Sequence, residues 1–203
     1  MTTYNISDTN CKISLTTFGD GSQLEYVYET KLLGVIVSQD LKWHKNTAFI
    51  CQKARTKLWI LRRMLDFDLN IHQLFDIYIK EVRSILELAV PVLHSGLTKQ
   101  QSADLERIQK VAFQIILQGD YLNYQQACSV LSAVTLEERR NKLCEKFAIQ
   151  NVNSENSLFT MVKDHPNTRL GKPLVRELKC NTKRYKKSTI PFLAQLLNCR
   201  TRK

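Results

Sequence analysis

The feature that most constrains this chain is a change in the spacing of its apolar residues near Trp43. Beyond that point they recur every three or four positions, which places them on one face of an α-helix. The first such stripe consists of Cys51, Ala54, Leu58, Leu61 and Leu65. Because a helix with one apolar stripe must bury that stripe against other elements, the pattern predicts a helical bundle.

Helix-start signals divide the rest of the bundle into segments. In a capping box, a polar residue and a Gln or Glu three positions later each bond the backbone N–H of the other. Such pairs occur at Asn70 and Gln73, Thr98 and Gln101, and Thr135 and Glu138. The predicted core positions are Leu74, Tyr78, Val82, Ile85, Ala89 and Val92 in the second helix and Leu105, Ile108, Ala112 and Ile115 in the third. Pro91 is expected to bend or end the second helix. A short helix over residues 124–131 and one ending near residue 149 follow.

The first forty residues have the β-favouring runs and turn residues of short strands. Runs at residues 13–17 and 23–28 flank a Gly-containing turn, and a third run at residues 32–37 is almost wholly apolar. The third run predicts a buried strand with a bulge at Gly34. The whole sequence predicts a mainly α fold: a short N-terminal β-hairpin or strand remnant over 1–41, a helical bundle over 42–151, and a basic, partly disordered segment over 152–203 that is extended at 164–190.

Basic residues are concentrated in two blocks. The chain has 30 Lys and Arg against 19 Asp and Glu, a formal net charge of +11. Residues 42–63 contain seven basic and no acidic side chains, and residues 163–203 contain twelve basic and two acidic ones. Such blocks raise the local positive potential and favour a polyanion, nucleic acid before membrane. A solvated surface helix with a disordered basic tail explains the charge alone equally well.

The sequence contains no motif for an active site or a metal centre. It has no nucleophile elbow, no phosphate-binding glycine loop and no paired-histidine zinc motif. The six cysteines and four histidines are dispersed, so we predict neither a catalytic residue nor a metal ligand set in this chain. Asp66 and Asp68 are of the residue type that holds metal ions for nucleotidyl transfer. Their position between two predicted helices favours a capping role instead.

Two groups of residues are candidates for nucleic-acid binding. Those on the first helix are Lys45, Lys53, Arg55, Lys57, Trp59, Arg62 and Arg63, and those in the tail are Lys183, Arg184, Tyr185, Lys186 and Lys187. Arg55, Trp59 and Arg62 share one flank of the helix. Basic side chains bind phosphates, and an interleaved aromatic ring stacks on a base or sugar. The alternatives are a core position for Trp59 and a nuclear-import signal for the tail. Neither group distinguishes DNA from RNA.

Several short segments carry a family resemblance when taken in order. They read KLLGV at residues 31–35, DLKW at 40–43, CQKA at 51–54, LRR at 61–63, ILELAVPVLHSGLT at 85–98, LERIQK at 105–110, LEERR at 136–140 and NTKRYKKS at 181–188. Together they resemble the C-terminal part of the reverse transcriptases of LINE-type (non-long-terminal-repeat) retrotransposons. Ser84, Leu88 and Leu93 depart from the proline, tyrosine and tryptophan that are usual in that family.

The resemblance implies the end of a polymerase palm over residues 1–41, a helical thumb over 42–151 and a basic C-terminal segment. Leu33, Gly34 and Val35 would form the primer grip. The parent enzyme is an RNA-directed DNA polymerase that uses Mg²⁺, and its catalytic aspartates precede this region. The partners implied are an RNA–DNA hybrid or other nucleic acid and the missing palm and fingers of the polymerase. No membrane partner is expected, and the location is nuclear or cytoplasmic.

Two functions from different classes follow from these observations. The first is positioning of a template–primer within a polymerase, with no catalysis by this chain. The second is a free-standing nucleic-acid-binding or regulatory remnant that uses its basic surface. An autonomous nuclease would require a cluster of carboxylates, which the sequence does not contain.

Overall fold

The N-terminal β-structure is a two-stranded antiparallel hairpin. The computed structural model describes residues 27–153, 175 and 179–201. Strand β1 (Glu29–Leu32) pairs with β2 (Val35–Ser38). Leu33 and Gly34, with φ of 48° and 86°, form the two-residue turn between them. Two consecutive positive φ values define a type I′ turn, whose twist matches that of the flanking strands.

The prediction of a single buried strand over residues 32–37 is therefore wrong. The turn divides the apolar run, and its tip is open to solvent, with Leu33 91% exposed. An apolar run cannot by itself distinguish one buried strand from two short strands joined through a glycine. The strand predicted at residues 13–17 and most of the one predicted at 23–28 lie outside the described residues.

Helix α1 (His44–Met64) forms as its apolar spacing predicts. Its buried stripe includes Cys51, Ala54, Leu58 and Leu61. The stripe packs mainly against the long helix α5 (Lys99–Leu117). No side chain caps the N-terminus of α1, so tertiary packing supplies its stability. The hairpin is attached to this helix by Asn46, whose Oδ1 accepts the backbone N–H of Ile36 at 2.9 Å.

The second predicted helix is interrupted. Helix α2 (Ile71–Tyr78) opens with the predicted capping box and continues through a π-helical segment, Ile79–Arg83, into α3 (Ser84–Leu86). The predicted core residues Leu74, Tyr78 and Val82 are buried. A π-helix adds one residue to the turn and rotates the side chains that follow. The predicted positions are therefore less exact beyond this segment. Ile85 and Ala89 are only partly buried against the core, and Leu86 is fully buried. The core position predicted for Val92 is wrong, because Val92 is 49% exposed.

A sharper break follows at Ala89, whose φ is 53°. Helix α4 (Val90–Leu93) begins immediately after it, with Pro91 in its first turn. Proline is tolerated there because the N–H groups of a first turn have no partner within the helix. The predicted interruption at Pro91 is confirmed, although the break lies two residues earlier.

The next helices begin at their predicted caps. Helix α5 starts after Thr98, whose side chain forms the capping box with Gln101. The short α6 (Tyr124–Val130) follows, and then α7 (Leu136–Asn153), where the Thr135 hydroxyl accepts a first-turn N–H at 3.2 Å. The predicted core residues Leu105, Ile108 and Ala112 are buried, and Ile116 is buried rather than Ile115. The described chain is thus mainly helical with a short antiparallel hairpin near its N-terminus, as predicted.

The end of the described chain is helical and contributes to the core. Helix α8 (Lys183–Lys186) is a single turn, and α9 (Thr189–Thr201) packs on α7 and α4. Their apolar cluster contains Val90, Cys144, Ala148, Val175, Leu193 and Ala194. The predicted extended segment is wrong for residues 183–190, because the apolar residues after it anchor a helix. Residues 154–174 and 176–178 lie outside the described part of the chain.

Buried hydrogen bonds join the helices around Gln109, which is 2% exposed. The Tyr78 hydroxyl donates to Gln109 Oε1 at 2.6 Å, and Gln109 Nε2 donates to the Tyr124 hydroxyl at 2.8 Å and to a backbone carbonyl before α7 at 3.0 Å. The Tyr124 hydroxyl donates in turn to Glu106, which also accepts the first N–H of α7. Burial raises the pKa of both tyrosines, so both hydroxyls keep the protons that they donate.

Replacing Gln109 with Ala is expected to lower the free energy of unfolding by about 2–4 kcal/mol, because it leaves buried hydrogen-bonding atoms unpaired and opens a cavity. Gln114→Ala, on the exposed face of the same helix, is the matched control and should change it by no more than about 0.5 kcal/mol. Urea unfolding of both variants measures the difference. Equal midpoints for the two variants would show that the network does not hold the bundle.

Gly34→Ala tests the hairpin turn. An L side chain at φ of 86° is strained by about 1–2 kcal/mol, so the β1–β2 backbone amides should exchange roughly fivefold or more faster with solvent. Gly119→Ala is the control, because its φ is ordinary and no atom lies within 4 Å of the added Cβ. Amide hydrogen exchange followed by NMR measures both. Unchanged protection in Gly34→Ala would contradict the turn.

Candidate nucleic-acid interface

One flank of α1 presents Arg55, Trp59 and Arg62 to solvent. At 3.6 residues per turn these three residues lie within about 60° of one another around the helix. All three are exposed, Trp59 by 61%. The flank lies beside the buried stripe, roughly 90° around the helix from it, and because the stripe packs into the bundle the core fixes the direction in which this flank faces. The alternative of a core position for Trp59 is therefore wrong.

The cations of α1 differ in their partners. Lys45 bonds Glu29 of the hairpin, Lys57 lies 2.9 Å from Glu81, and Arg63 lies 3.7 Å from Asp66. Among the described residues, Lys53, Arg55 and Arg62 have no carboxylate within ion-pair distance. Exposed pairs contribute at most about 1 kcal/mol, so the paired cations exchange readily onto another anion. The three unpaired cations face solvent without that competition.

The predicted group on α1 occupies two separate flanks. Lys53 and Lys57 lie roughly 140–180° around the helix from Arg55 and Arg62, and one straight polyanion cannot contact both flanks at once. Arg63 lies between the flanks, with its guanidinium 5.8 Å from the centre of the Trp59 ring. Trp59 lies within about 60° of Arg55 and Arg62 and so belongs to their flank. This flank is the stronger candidate of the two for nucleic-acid binding.

The predicted tail residues Lys183, Arg184, Tyr185, Lys186 and Lys187 are all exposed. They form α8 and the residue after it, and Thr182 caps this turn by accepting the N–H of Tyr185 at 3.1 Å. Arg184 Nη2 donates to the backbone carbonyl of Asp40 at 2.7 Å. The tail therefore lies beside the start of α1, which is about 27 Å from Arg62 at 1.5 Å rise per residue.

Of the residues expected to form the primer grip, Leu33 and Gly34 lie in the hairpin turn and Val35 begins β2. Leu33 is at the exposed tip, and Val35 is half-buried against the core. A Cβ added at Gly34 would lie 3.5 Å from Leu88 Cδ2, which is ordinary contact. Glycine is therefore required at this position by its backbone conformation and not by crowding.

Asp66 and Asp68 lie between α1 and α2 and have separate surroundings. Asp66 pairs with Arg63, and Asp68 has a left-handed φ of 47° that ends a 3₁₀ turn. Within the described part of the chain no three His, Cys, Asp or Glu side chains converge in a way that could hold a metal ion. These residues do not fit the Mg²⁺ of a polymerase, and no catalytic step is assigned to them.

Arg140 is a basic residue whose burial the sequence analysis missed. It is 1% exposed. Its Nη2 donates to Ser102 Oγ at 2.5 Å and its Nε to His94 Nδ1 at 3.4 Å. The sequence signal for this burial is the position of Arg140 on the buried face of α7. That face consists of Leu136, Arg140, Cys144 and Ala148, each four positions from the last. The adjacent Arg139 points elsewhere and bonds Glu87.

His94 lies beside this guanidinium and is held neutral. Burial lowers the pKa of His94, and the nearby Arg140 lowers it further, although a hydrogen bond to Asn141 acts in the opposite direction. A neutral ring lets Nδ1 accept from Arg140 while Nε2 donates to Asn141 Oδ1 at 2.8 Å. The tautomer is thus determined by its two neighbours.

No family model, curated protein or solved structure matches this chain. The resemblance to LINE-type reverse transcriptases consequently rests on the ordered sequence segments alone. A separate search of the described helices for a membrane span found none with the necessary length and apolarity.

Acid should destabilise the protein through His94. Because its folded pKa is depressed, its contribution to stability is complete above the unfolded value of about 6.5 and is lost as the pH falls below that value. We expect His94→Gln to reduce the loss of unfolding free energy between pH 7 and pH 5. His72→Gln, on the exposed surface of α2, should leave that loss unchanged. Urea unfolding at both pH values measures it, and an unaltered pH dependence in His94→Gln would contradict the assignment.

Proposed function

We propose that this chain is a nucleic-acid-binding module that positions a template–primer duplex, as the thumb and C-terminal part of a LINE-type RNA-directed DNA polymerase. The proposal rests on the ordered family segments and on one structural observation. That observation is the exposed flank of Arg55, Trp59 and Arg62, in which two arginines without carboxylate partners border an aromatic ring.

The spacing of this flank suits a nucleic-acid backbone. Arg55 and Arg62 are seven residues apart, which is about 10 Å along the helix axis, so their long side chains can reach two separate phosphates of one backbone. A guanidinium binds a phosphate through two parallel N–H groups. Trp59 lies between the two arginines, where its exposed ring can stack on a sugar or base.

Positioning is the role proposed for this chain, and the palm and fingers of the polymerase would supply the chemistry. In the parent enzyme two Mg²⁺ ions would activate the primer end and stabilise the leaving group. The exposed hairpin tip at Leu33 and Gly34 would contact the primer end. All four residues of β1 are exposed, and the described residues leave its outer edge unpaired. An unpaired edge suits addition to a larger sheet.

The alternative is a free-standing nucleic-acid-binding protein, and one observation favours it. Both apolar clusters of the described chain are formed by elements of this chain that pack on one another, and α9 contributes to the second cluster. A monomer that binds nucleic acid with no polymerase partner would support this alternative. Dependence of binding on an added palm and fingers fragment would support the leading proposal.

The test is the affinity of Arg55→Ala/Arg62→Ala for an RNA–DNA hybrid and for duplex DNA across a salt series. Loss of two phosphate contacts should weaken binding by tenfold or more at low salt and reduce the slope of log K against log[salt] by about two. Lys53→Ala/Lys57→Ala removes the same charge from the opposite flank and is the matched control. Preference for the hybrid would support the thumb assignment.

Equal loss of affinity in the two double variants would show that charge alone, and not this flank, binds the nucleic acid. The contribution of the tail is tested by substitution, with Lys183→Ala/Lys186→Ala. Truncation after Lys179 is unsuitable, because it removes α9 from the second apolar cluster. Binding that disappears in the tail variant but survives in Arg55→Ala/Arg62→Ala would overturn the proposed interface.

A further inference from the structure

A cleft of about 400 Å³ lies where three distant parts of the chain meet. One wall is the connection from β2 to α1, the second is the 3₁₀ turn before α5, and the third is the segment from α8 to the start of α9. The volume is within the range of small-molecule sites and is separate from the Arg55–Trp59–Arg62 flank.

The rim of the cleft is positively charged. Lys42, Arg184 and Lys187 line it together with His44, and the acidic side chain at the rim is Asp40. The Ser38 hydroxyl and the backbone N–H of residue 42 donate to the Asp40 carboxylate, at 2.6 and 3.0 Å, and lower its pKa. The Asp40 carboxylate therefore stays ionised and lies 3.7 Å from Lys42 Nζ, so Arg184 and Lys187 give the rim its net positive charge.

The wall of the cleft is apolar and aromatic. Leu41 is 54% exposed, Val92 is 49% exposed, and Trp43 is partly exposed between the cleft and the core. Leu41 also has a φ of 49°, a left-handed conformation that is unfavourable for a branched side chain. Exposed apolar side chains beside a strained backbone are a common arrangement at ligand sites.

Most of the polar side chains lining the cleft are already engaged in the fold. Thr98 and Gln101 form the capping box of α5, and the Thr189 hydroxyl donates to the Val92 carbonyl at 3.3 Å. The Ser95 hydroxyl differs from these, because its Oγ is buried and has no hydrogen-bond partner among the described residues. A buried hydroxyl without a partner points to a polar ligand atom or a water molecule in the cleft.

We propose that this cleft binds one nucleotide, with its base against Trp43 and Val92 and its phosphate on Arg184 and Lys187. An aromatic wall with a cationic rim matches a molecule that has a flat apolar part and an anionic phosphate. The choice of a nucleotide as the ligand rests on the proposed function. The site would hold a single nucleotide of a strand whose duplex part lies on the α1 flank.

The chain offers a direct readout, because its two tryptophans lie at the two different places. Trp43 lines the cleft and Trp59 is on the α1 flank. Trp59→Phe leaves Trp43 as the sole tryptophan, and since residue 59 is exposed the change should not disturb the fold. Titration of this variant with 5′-AMP should quench the Trp43 emission with a saturable curve. Adenosine and inorganic phosphate should each bind about tenfold more weakly than 5′-AMP.

Two further variants in the Trp59→Phe background locate the phosphate. Arg184→Ala/Lys187→Ala should weaken 5′-AMP binding about tenfold or more. Lys183→Ala/Lys186→Ala removes the same charge from the same turn but from residues that do not line the cleft, and it should change the affinity less than twofold. Because Arg184 also anchors α8 to residue 40, the single variant Lys187→Ala is measured as well. The Lys187 side chain makes no bond with the described residues, so its removal leaves that anchor intact.

The outcomes separate this inference from the proposed function. No change in Trp43 emission up to millimolar 5′-AMP, or equal quenching by adenosine, would overturn the nucleotide site. Equal weakening in the cleft variant and its control would overturn it as well. The Trp43→Phe variant, in which Trp59 reports alone, is titrated with the RNA–DNA hybrid. A response of Trp59 to the hybrid without a response of Trp43 to 5′-AMP would leave the proposed function standing and the cleft unoccupied.

Discussion

The buried amide of Gln109 fixes how the helices of this bundle sit against one another. An amide out of contact with water is tolerated only when its polar atoms find partners, and here α2, α6 and the backbone carbonyl of Val134 supply them. Apolar contacts are non-directional, whereas these bonds specify the rotation and axial position of each helix. Tyr78 and Phe113 pack edge to face beside the amide, with ring centroids 5.5 Å apart. Because α5 is held in this way, α1 packs on it in one orientation and exposes one flank.

The second basic block is brought to the first by apolar packing, against the repulsion between like charges. Arg184 and Asp40 are 144 positions apart in the chain, yet the guanidinium of one bonds the backbone of the other. Leu193 and Ala194 of α9 are fully buried and hold that part of the chain in place. Cations held close together raise the local potential, and a bound anion lowers it. The fold thus maintains a positive electrostatic potential between the two basic blocks, and a bound phosphate group would lower it.

Features that depend on four or five consecutive residues were predictable from the sequence. Features that depend on contacts between distant residues were not. The boxes at Asn70 and Thr98 were predicted because their bonds close within one turn. The exposed flank was predicted because its three residues share one side of the helix, beside the apolar stripe. The burial of Arg140 and the cleft beside α8 were missed, since both depend on segments far apart in the chain. The turn at Gly34 was missed because the apolar residues on both sides read as a single strand.

The π-helical segment at Ile79–Arg83 determines which of the following side chains are buried. It does so through the number of residues in its turn and not through their types. A π turn is one residue longer than an α turn, and removing one residue would restore the shorter repeat. Every side chain between the segment and Ala89 would then turn by about 100° around the axis. Leu86 would leave the core, and Glu87 would lose its position between Arg83 and Arg139. This stretch is therefore open to substitution on its surface but closed to single-residue deletion, and alignments that place a gap here would misassign its buried face.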